Sequence, residues 1–225
     1  MKIEKNGIVY ELDYKTKTAK VVEYRAANID EQVIPHCIHS YIAHCTVTEI
    51  GDGAFKYSDI RKVVLPLTLT KIGECAFMAS KLSYIFREET TMPVPLTIGD
   101  SAFVNCTNLV KVELHGKINL IGDNHFVNCY QLDEIDSCNI RGRIGQWSFA
   151  QCSNLDDFYL ADDVIVEKTS FENTKFNQVF IGKNVRISGG IKHTLNTMNI
   201  LCHDDSDILD LAYEGYNIRI IGKTS

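Results

Sequence analysis

Short runs in which apolar and polar residues alternate recur along the chain. Each run has the form L-x-x-V-x-L, and in the run LVKVEL the apolar residues Val112 and Leu114 flank Glu113. Because alternate residues of a β-strand point to opposite faces, this pattern predicts a short strand with one apolar and one outward face. Further runs of this form begin at Ile60, Leu82, Leu132, Leu155 and Phe176, with a degenerate one at Leu195.

A six-residue phrase that ends in Phe precedes each run and sets the period of the chain. It reads IGDGAF, IGECAF, IGDSAF, IGDNHF and IGQWSF, with a weaker copy VEKTSF, and it ends at Phe55, Phe77, Phe103, Phe126, Phe149 and Phe171. The successive spacings are 22, 26, 23, 23 and 22 residues, and the long step contains an insertion over 87–95. One unit buries about five large apolar side chains, roughly 8–15 kcal/mol, whereas ordering the unit costs on the order of 30 kcal/mol. The repeat therefore predicts a solenoid of mutually covering units, with the Phe side chains in one interior column.

The segments on either side of the repeats predict caps that cover the ends of the stack. Two β-rich runs, Ile8–Asp13 and Thr18–Tyr24, surround a polar turn and predict a hairpin. At the other end the apolar residues of 206–213 have helical spacing, and a last strand is expected over 217–221. We therefore predict one domain over 1–225 that consists of an N-terminal cap over 1–46, repeats over 47–204 and a C-terminal cap over 205–225.

The net charge and the spacing of the cysteines limit the cellular compartments and the classes of partner that are expected for this chain. The net charge of −6 argues against broad binding to nucleic acid or to an anionic membrane, and no apolar run is long enough to span a bilayer. The first residues contain no apolar segment of a secretion signal. Of eight cysteines, Cys106, Cys129 and Cys152 follow a period of 23 residues, which predicts small buried side chains in a stack and not a disulfide framework. We therefore expect reduced thiols and, from the chain as given, a cytoplasmic protein.

The combination I-G-x-x-A-F, x-x-C-x-x-L and x-x-V-x-L-P resembles the BspA-type leucine-rich repeat family. It is clearest over Ile50–Pro66 and Ile98–Leu114, and the phrases at both ends of the chain are also similar to that family. The resemblance implies a β-rich α/β solenoid, namely a right-handed leucine-rich-repeat superhelix with short strands, an N-terminal β-hairpin cap and a C-terminal helix-strand cap. It also implies a non-catalytic protein, without a cofactor, that lies at the cell surface or is secreted and serves adhesion or host contact.

The outward positions of the predicted strands carry aromatic and acidic residues. If the strands stack in register, the middle of this surface is acidic and aromatic residues flank it. Aromatic side chains on a rigid sheet are typical anchors for a partner, so these positions predict a face that binds a protein or a glycan. The alternative is that the aromatic residues are scattered and the charges only keep the protein soluble. The candidate binding residues are Tyr84, Phe86, Glu113, Glu134, Asp136, Asp157, Tyr159 and Phe180.

Two further functions stay open at this point. An intracellular interaction scaffold is favoured by the expected reduced thiols and the missing secretion signal. A metal-binding or hydrolytic protein would use the cluster His36, Cys37, His39, His44 and Cys45, but its spacing matches no standard zinc motif and we expect it to bind no metal. His125 stands where other units carry Ala, and we expect a surface or edge substitution there and not a general base. The expected protein is a monomer that does not insert into membranes.

Overall fold

The computed structural model describes residues 1–27, 29–174, 176–188, 199–202 and 218–220. In these residues the chain forms short β-strands and one 3-10 helix, Ser137–Asn139. The strands are β1 (Lys2–Lys5), β2 (Ile8–Asp13), β3 (Thr18–Tyr24), β4 (Glu31–Val33), β5 (Cys37–His39), β6 (His44–Ile50), β7 (Lys62–Leu65), β8 (Lys71–Ile72), β9 (Tyr84–Arg87), β10 (Leu96–Ile98), β11 (Lys111–Glu113), β12 (Ile118–Leu120), β13 (Glu134–Ile135), β14 (Ile140–Arg141), β15 (Arg143–Ile144), β16 (Asp157–Leu160), β17 (Ile165–Val166), β18 (Gln178–Ile181), β19 (Arg186–Ile187), β20 (Asn199–Cys202) and β21 (Ile218–Ile220).

Each coil of the stack contributes one strand to each of two parallel sheets. The face sheet has the order β4-β7-β9-β11-β13 and contains the V-x-L strands. The flank sheet contains the strands that lead into the first four Ile-Gly phrases, namely β6, β8, β10 and β12, and it ends at β14. The face strands pair in register, so that Lys62, Tyr84, Lys111 and Glu134 form one row of outward residues. Stacking in register, as predicted, is therefore confirmed for this part of the chain.

The turn that follows each flank strand forms a third ladder of hydrogen bonds between coils. The N–H of Phe103 donates to His125 O at 2.9 Å, and the N–H of Phe126 donates to Ser148 O at 2.7 Å. Two residues of each turn lie in the left-handed region of φ, for example Asn124 at 59° and Asn128 at 61°. Asn tolerates this conformation better than most non-glycine residues, which explains its use in the turns.

The glycine of the Ile-Gly phrase is required by the close approach of adjacent coils. A Cβ at Gly99 would lie 2.9 Å from Glu74 N and 3.0 Å from Gly73 C, which are backbone atoms of the coil below. Among the five glycines that directly follow the Ile of this phrase, only Gly122 has a positive φ, of 91°. The close packing of adjacent coils therefore explains the glycine in this phrase generally, and at Gly122 the positive φ is a further reason.

An uninterrupted column of Phe rings forms the centre of the core. Phe103 stacks on Phe126 with 5.0 Å between ring centroids, and Phe126 stacks on Phe149 at 5.1 Å. The thiol of Cys129 donates to Phe103 O at 3.2 Å, and that of Cys152 donates to Phe126 O at 3.2 Å. The predicted interior column is confirmed, and the periodic cysteines are buried hydrogen-bond donors that tie each coil to the coil below.

Arg87 is a fully buried charged residue at the position of the second apolar residue of V-x-L. Its Nε donates to Leu114 O at 2.7 Å, Nη1 donates to Leu69 O at 3.3 Å and to Val94 O at 3.2 Å, and Nη2 donates to His115 O. Burial lowers the pKa of this guanidinium. The side chain therefore fastens the insertion over 87–95 to the coils on either side.

Both parallel sheets are interrupted near residues 136–142. In the face, β13 ends its sheet and β16 begins a separate one of order β16-β18-β20-β21; in the flank, β14 pairs with β12 whereas β15 pairs with β17. Ser137, which is buried, replaces the second apolar residue of V-x-L, and its Oγ accepts a hydrogen bond from Tyr159 N–H at 2.9 Å. A side chain here takes the place of a strand carbonyl, so the face ladder stops while the Phe column continues.

The predicted terminal elements are found in part. β2 and β3 pair antiparallel over the residues that the sequence predicted as a hairpin, and β3 pairs in parallel with β6. The last strand, β21, pairs in parallel with β20. The predicted helix over 206–213 lies outside the described residues, and the described ranges contain no α-helix. The α component of the expected β-rich α/β class is therefore not found there, and the right-handed superhelix stays a prediction.

Candidate binding face

The candidate residues lie on two separate sheets and not on the single continuous face that the sequence predicted. Tyr84, Phe86, Glu113 and Glu134 belong to the face sheet that ends at β13, whereas Asp157, Tyr159 and Phe180 belong to the sheet that begins at β16. The condition that the strands stack in register is not met between β13 and β16, because Ser137 cannot supply the apolar packing and backbone alignment of the Leu found in other coils. The two sheets still face the same side of the stack, since Tyr159 N–H bonds to Ser137 Oγ.

Basic residues accompany the aromatic residues of the first sheet. Tyr84 is 45% exposed, and the Lys62 Nζ lies 5.0 Å from the centroid of the half-buried Phe86 ring. Lys111 Nζ lies 2.9 Å from Glu113 Oε1 and 2.8 Å from Glu134 Oε2. These two hydrogen bonds raise the pKa of Lys111. Part of the acidic surface predicted from the sequence is therefore neutralised by a lysine on the same sheet.

Asp136 lies at the end of β13 and serves the backbone. Its Oδ2 accepts hydrogen bonds from Leu114 N–H at 2.8 Å and from His115 N–H at 3.0 Å. The carboxylate therefore satisfies two donors at the end of the neighbouring strand. The sequence predicted Asp136 as an outward face residue, but its observed contacts are those of a strand cap at the margin of the groove described below.

Tyr159 and Phe180 form a stacked aromatic pair on the second sheet. Their ring centroids are 4.3 Å apart and the planes differ by 3°, because the two residues are register partners on adjacent parallel strands. Tyr159 is 44% exposed. The pair presents a flat apolar surface whose position is fixed by the strands beneath it.

The interruption opens a groove of about 350 Å³ between β13 and β16. A neighbouring depression of about 420 Å³ shares two of its acidic residues, Asp133 and Asp156. Within the described ranges no ion pair or hydrogen bond engages the carboxylates of Asp133, Asp156 and Asp157, which are exposed. The acidic residues that line the groove are Glu113, Asp133, Glu134, Asp136, Asp156 and Asp157.

The sequence reasoning missed two of these acidic residues. Asp133 and Asp156 directly follow the first Leu of their V-x-L runs, Leu132 and Leu155, and precede the strands. The dipeptide Leu-Asp at the same place in consecutive repeats is a usable signal. Alternation within a strand predicts only which positions inside the strand lie on the face, and these two residues precede their strands.

The His and Cys cluster of the N-terminal region is divided between two environments. β5 and β6 pair so that His39 lies opposite His44, with 4.3 Å between the ring centroids, and Cys37 Sγ lies 3.3 Å from His39 Nε2. Cys45 is fully buried on the other side of this hairpin. Over the described ranges no three His, Cys, Asp or Glu side chains are grouped so as to hold a metal ion.

The expected surface position of His125 is wrong, since this residue is fully buried.

His125 is held as a neutral side chain in the core. Its Nε2 donates to Ile121 O at 3.1 Å, and its Nδ1 lies 3.0 Å from Ser148 Oγ, whose hydroxyl donates to Gly145 O at 2.8 Å. Burial lowers the pKa of this imidazole, against the smaller raising effect of its bond to Ile121. Its contacts are those of a core residue.

No helix of the described chain has the length and apolarity needed to cross a membrane.

Comparison with known proteins identifies the repeat. A family model described as BspA type leucine rich repeat region matches six copies over residues 28–95 and 87–190. A leucine rich cell surface protein from Faecalibacterium prausnitzii is 23% identical with a TM-score of 0.74, and the match covers 92% of this chain but 55% of that chain. The leucine rich repeat protein of T. pallidum is 18% identical with a TM-score of 0.62, covering 97% and 98% of the two chains.

A leucine-rich repeat protein from Bacteroides ovatus is also similar. It is 20% identical with a TM-score of 0.56, and the match covers 91% of this chain and 60% of that chain. The chain thus spans little more than half of the Faecalibacterium protein and three fifths of the Bacteroides one. No curated protein matches the chain. At these identities the structures show that the leucine-rich repeat fold is shared.

Proposed function

The chain belongs to the BspA-type leucine-rich repeat family, and from this premise we propose that it is a non-catalytic module that binds a partner protein through its face sheets. The observation that carries the proposal is the stacked pair of the exposed Tyr159 and the half-buried Phe180 beside the acidic groove. Exposed aromatic residues on a rigid support lose little conformational entropy when they contact a partner. The module is one domain, acts as a monomer, and contacts a protein or a glycan in adhesion or host contact.

A surface location is supported by one neighbour and by family membership. The similar Faecalibacterium protein is named as a cell surface protein. A rigid stack of short coils can present a broad face at a distance from its attachment, which suits contact with another cell. We therefore place the protein at the cell surface or outside the cell.

The thiols favour a second candidate, an intracellular interaction scaffold. Every cysteine whose side chain the structure describes is free, and Cys106, Cys129 and Cys152 are fully buried. Burial raises the pKa of the Cys106 thiol to about 11, which keeps it protonated and unreactive. Alkylation of protein freshly isolated from its own cells separates the candidates: free thiols throughout favour the scaffold, whereas disulfides favour export.

The face is tested by selection with a displayed peptide library. Phage that carry random peptides are selected on the immobilised protein, and each clone is then tested against Tyr159→Ala/Phe180→Ala. We expect most clones to lose binding to this variant while its melting temperature stays close to that of the wild type, since Tyr159 is exposed. Clones that bind both proteins equally would contradict the proposal.

A matched control separates loss of the face from loss of any aromatic residue. Tyr57 is 71% exposed on the turn side of the stack, away from both face sheets. Clones that depend on Tyr159 and Phe180 should bind Tyr57→Ala as well as they bind the wild type. Equal losses with both variants would assign the effect to general surface hydrophobicity.

A further inference from the structure

The groove between β13 and β16 is bounded by two strand edges that lack strand neighbours. β13 pairs with β11 on one side only, and β16 pairs with β18 on one side only. In the part of the chain that the structure describes, one hydrogen bond joins the two segments, from Tyr159 N–H to Ser137 Oγ, beyond the end of β13. Strand edges that are open to solvent offer unpaired N–H and C=O groups to an extended chain. Between the other consecutive face strands of each of the two sheets, the adjacent coil occupies that position.

The charge of the groove differs from that of the rest of the face. Outside the groove, Lys62 Nζ lies 3.2 Å from Glu31 Oε2. On the β11 side of the groove, Lys111 forms ion pairs with the lining residues Glu113 and Glu134. Within the described ranges the carboxylates of Asp133, Asp156 and Asp157 have no basic partner. Carboxylates at this density attract a partner of opposite charge.

We propose that this groove is the primary recognition site of the face, and that its ligand is an extended peptide segment that carries Lys or Arg. The segment forms backbone hydrogen bonds with a free strand edge, and its basic side chains contact Asp133, Asp156 and Asp157. This proposal rests on the proposed function, since it names the chemistry of the partner that the face binds. The volume of about 350 Å³ suits a short stretch of chain and not a folded surface element.

The two-residue period of an extended chain determines the pattern of the ligand. Alternate residues of an extended segment point to the same side, so basic residues at every second position can all point to the side on which the acidic lining residues lie. Tyr159 lines the same groove and its ring is 44% exposed, which allows it to pack on the aliphatic part of a Lys side chain or over the charge of an Arg. A segment in which Lys alternates with Thr meets both requirements.

The test measures fluorescence anisotropy with a labelled peptide of about six residues, the usual length of a strand, in which Lys alternates with Thr. The groove variant is Asp133→Asn/Asp156→Asn/Asp157→Asn, and we expect its affinity for the peptide to be lower by about tenfold, as for the loss of several exposed charge pairs. The control is Glu11→Gln/Glu88→Gln/Glu89→Gln, which removes the same charge at exposed positions outside the groove. Its affinity should stay within about twofold of the wild type. Equal affinity of the groove variant and the wild type, or no binding of the peptide to the wild type, overturns the proposal.

Backbone methylation separates strand pairing from simple charge attraction. Two versions of the peptide carry N-methyl groups on alternate residues, one version on the Lys positions and the other on the Thr positions. Because only every second N–H of an added strand points to its neighbour, one version should lose binding and the other should keep it. If both versions bind as well as the parent peptide, the edge does not pair and the proposal is wrong in that part.

The library selection distinguishes failure of this inference from failure of the proposed function. Clones that need Tyr159 and Phe180, are rich in Lys or Arg and lose binding to the groove variant support both. Clones that need the two aromatic residues but are not basic and bind the groove variant normally overturn the inference and leave the proposed function standing. A selection without clones that depend on the face overturns the proposed function itself.

Discussion

The coils before residue 136 and those after residue 142 are built from the same repeat, yet they carry separate sheets. The difference is best seen at two coils in which the second apolar residue of V-x-L is replaced. At Arg87 the face strand keeps both neighbours, since β9 pairs with β7 and with β11. At Ser137 the ladder stops, since β13 pairs with β11 alone. Departure from the repeat is therefore tolerated in one coil and opens a groove in the other.

The two side chains differ in the number and reach of their donors. Arg87 fills the apolar position with its methylene groups and donates to four carbonyls, which include Leu114 O and Leu69 O on other coils. Ser137 is short and offers one oxygen, which Tyr159 N–H uses at 2.9 Å. A substituted residue that donates hydrogen bonds to several coils, such as Arg87, preserves the pairing of the face strands. A residue that accepts one hydrogen bond from the next strand, such as Ser137, takes the place of a backbone–backbone hydrogen bond of the sheet.

The Phe column crosses the interruption unchanged and holds the two parts together. The largest expected effect is therefore that of Phe126→Ala, which removes the ring stacked between Phe103 and Phe149. We expect the free energy of unfolding to fall by about 3–5 kcal/mol, measured by urea denaturation. Tyr57→Ala, at an exposed position, should cost about 0.5 kcal/mol or less. A small effect at Phe126 would mean that the column does not join the two parts.

Arg87→Met tests whether the guanidinium preserves the first part of the face. Met has a similar length and apolar stem but leaves four carbonyl oxygens without their donor, so we expect a loss of about 2–4 kcal/mol in the free energy of unfolding. Hydrogen exchange should quicken in β9 and β11. Arg61→Met removes an exposed arginine that lies 3.6 Å from Asp30, and it should cost about 0.5 kcal/mol or less. If Arg87→Met is as stable as the wild type, apolar filling alone preserves the ladder.

The smallest expected effect is the pH dependence of stability that His125 contributes, and the direction of this dependence is determined by the burial of the side chain. Its folded pKa is lowered from the ordinary value of 6.5, so above that value the residue is neutral in both states and pH has no influence through it. As the pH falls below 6.5, the unfolded chain binds a proton that the folded chain resists, and stability decreases. We expect the melting temperature of the wild type to fall more than that of His125→Ala between about pH 8 and about pH 5. Ala is the residue of three other units, and parallel curves for the two proteins would contradict this assignment.

Much of the architecture could be predicted from the sequence. The alternation around Val112 and the period of the Phe residues determine strand position, coil length and the interior column, because each coil must bury the same residues against its neighbour. The hairpin of β2 and β3 also followed from its local pattern. The buried state of His125 did not, because a histidine in place of Ala has no sequence signal that separates core from surface.

The binding face could be predicted only residue by residue. Tyr84, Tyr159 and Phe180 were assigned correctly to outward strand positions from alternation alone. The function of these residues stays a prediction. Asp136 was assigned to the same row, but its carboxylate bonds to Leu114 N–H and His115 N–H, a choice that depends on the position of the neighbouring coil. Asp133 and Asp156 gained importance only because the strands beside them do not pair.

The sequence by itself determined that similar coils stack and which residues form the core, because hydrophobic periodicity acts locally and repeats in every unit. The tertiary structure alone decided where the ladder stops and which carboxylates share one groove. These depend on whether a side chain such as Arg87 or Ser137 reaches groups on adjacent coils, and such reach is a property of three-dimensional distance that spacing along the chain does not contain.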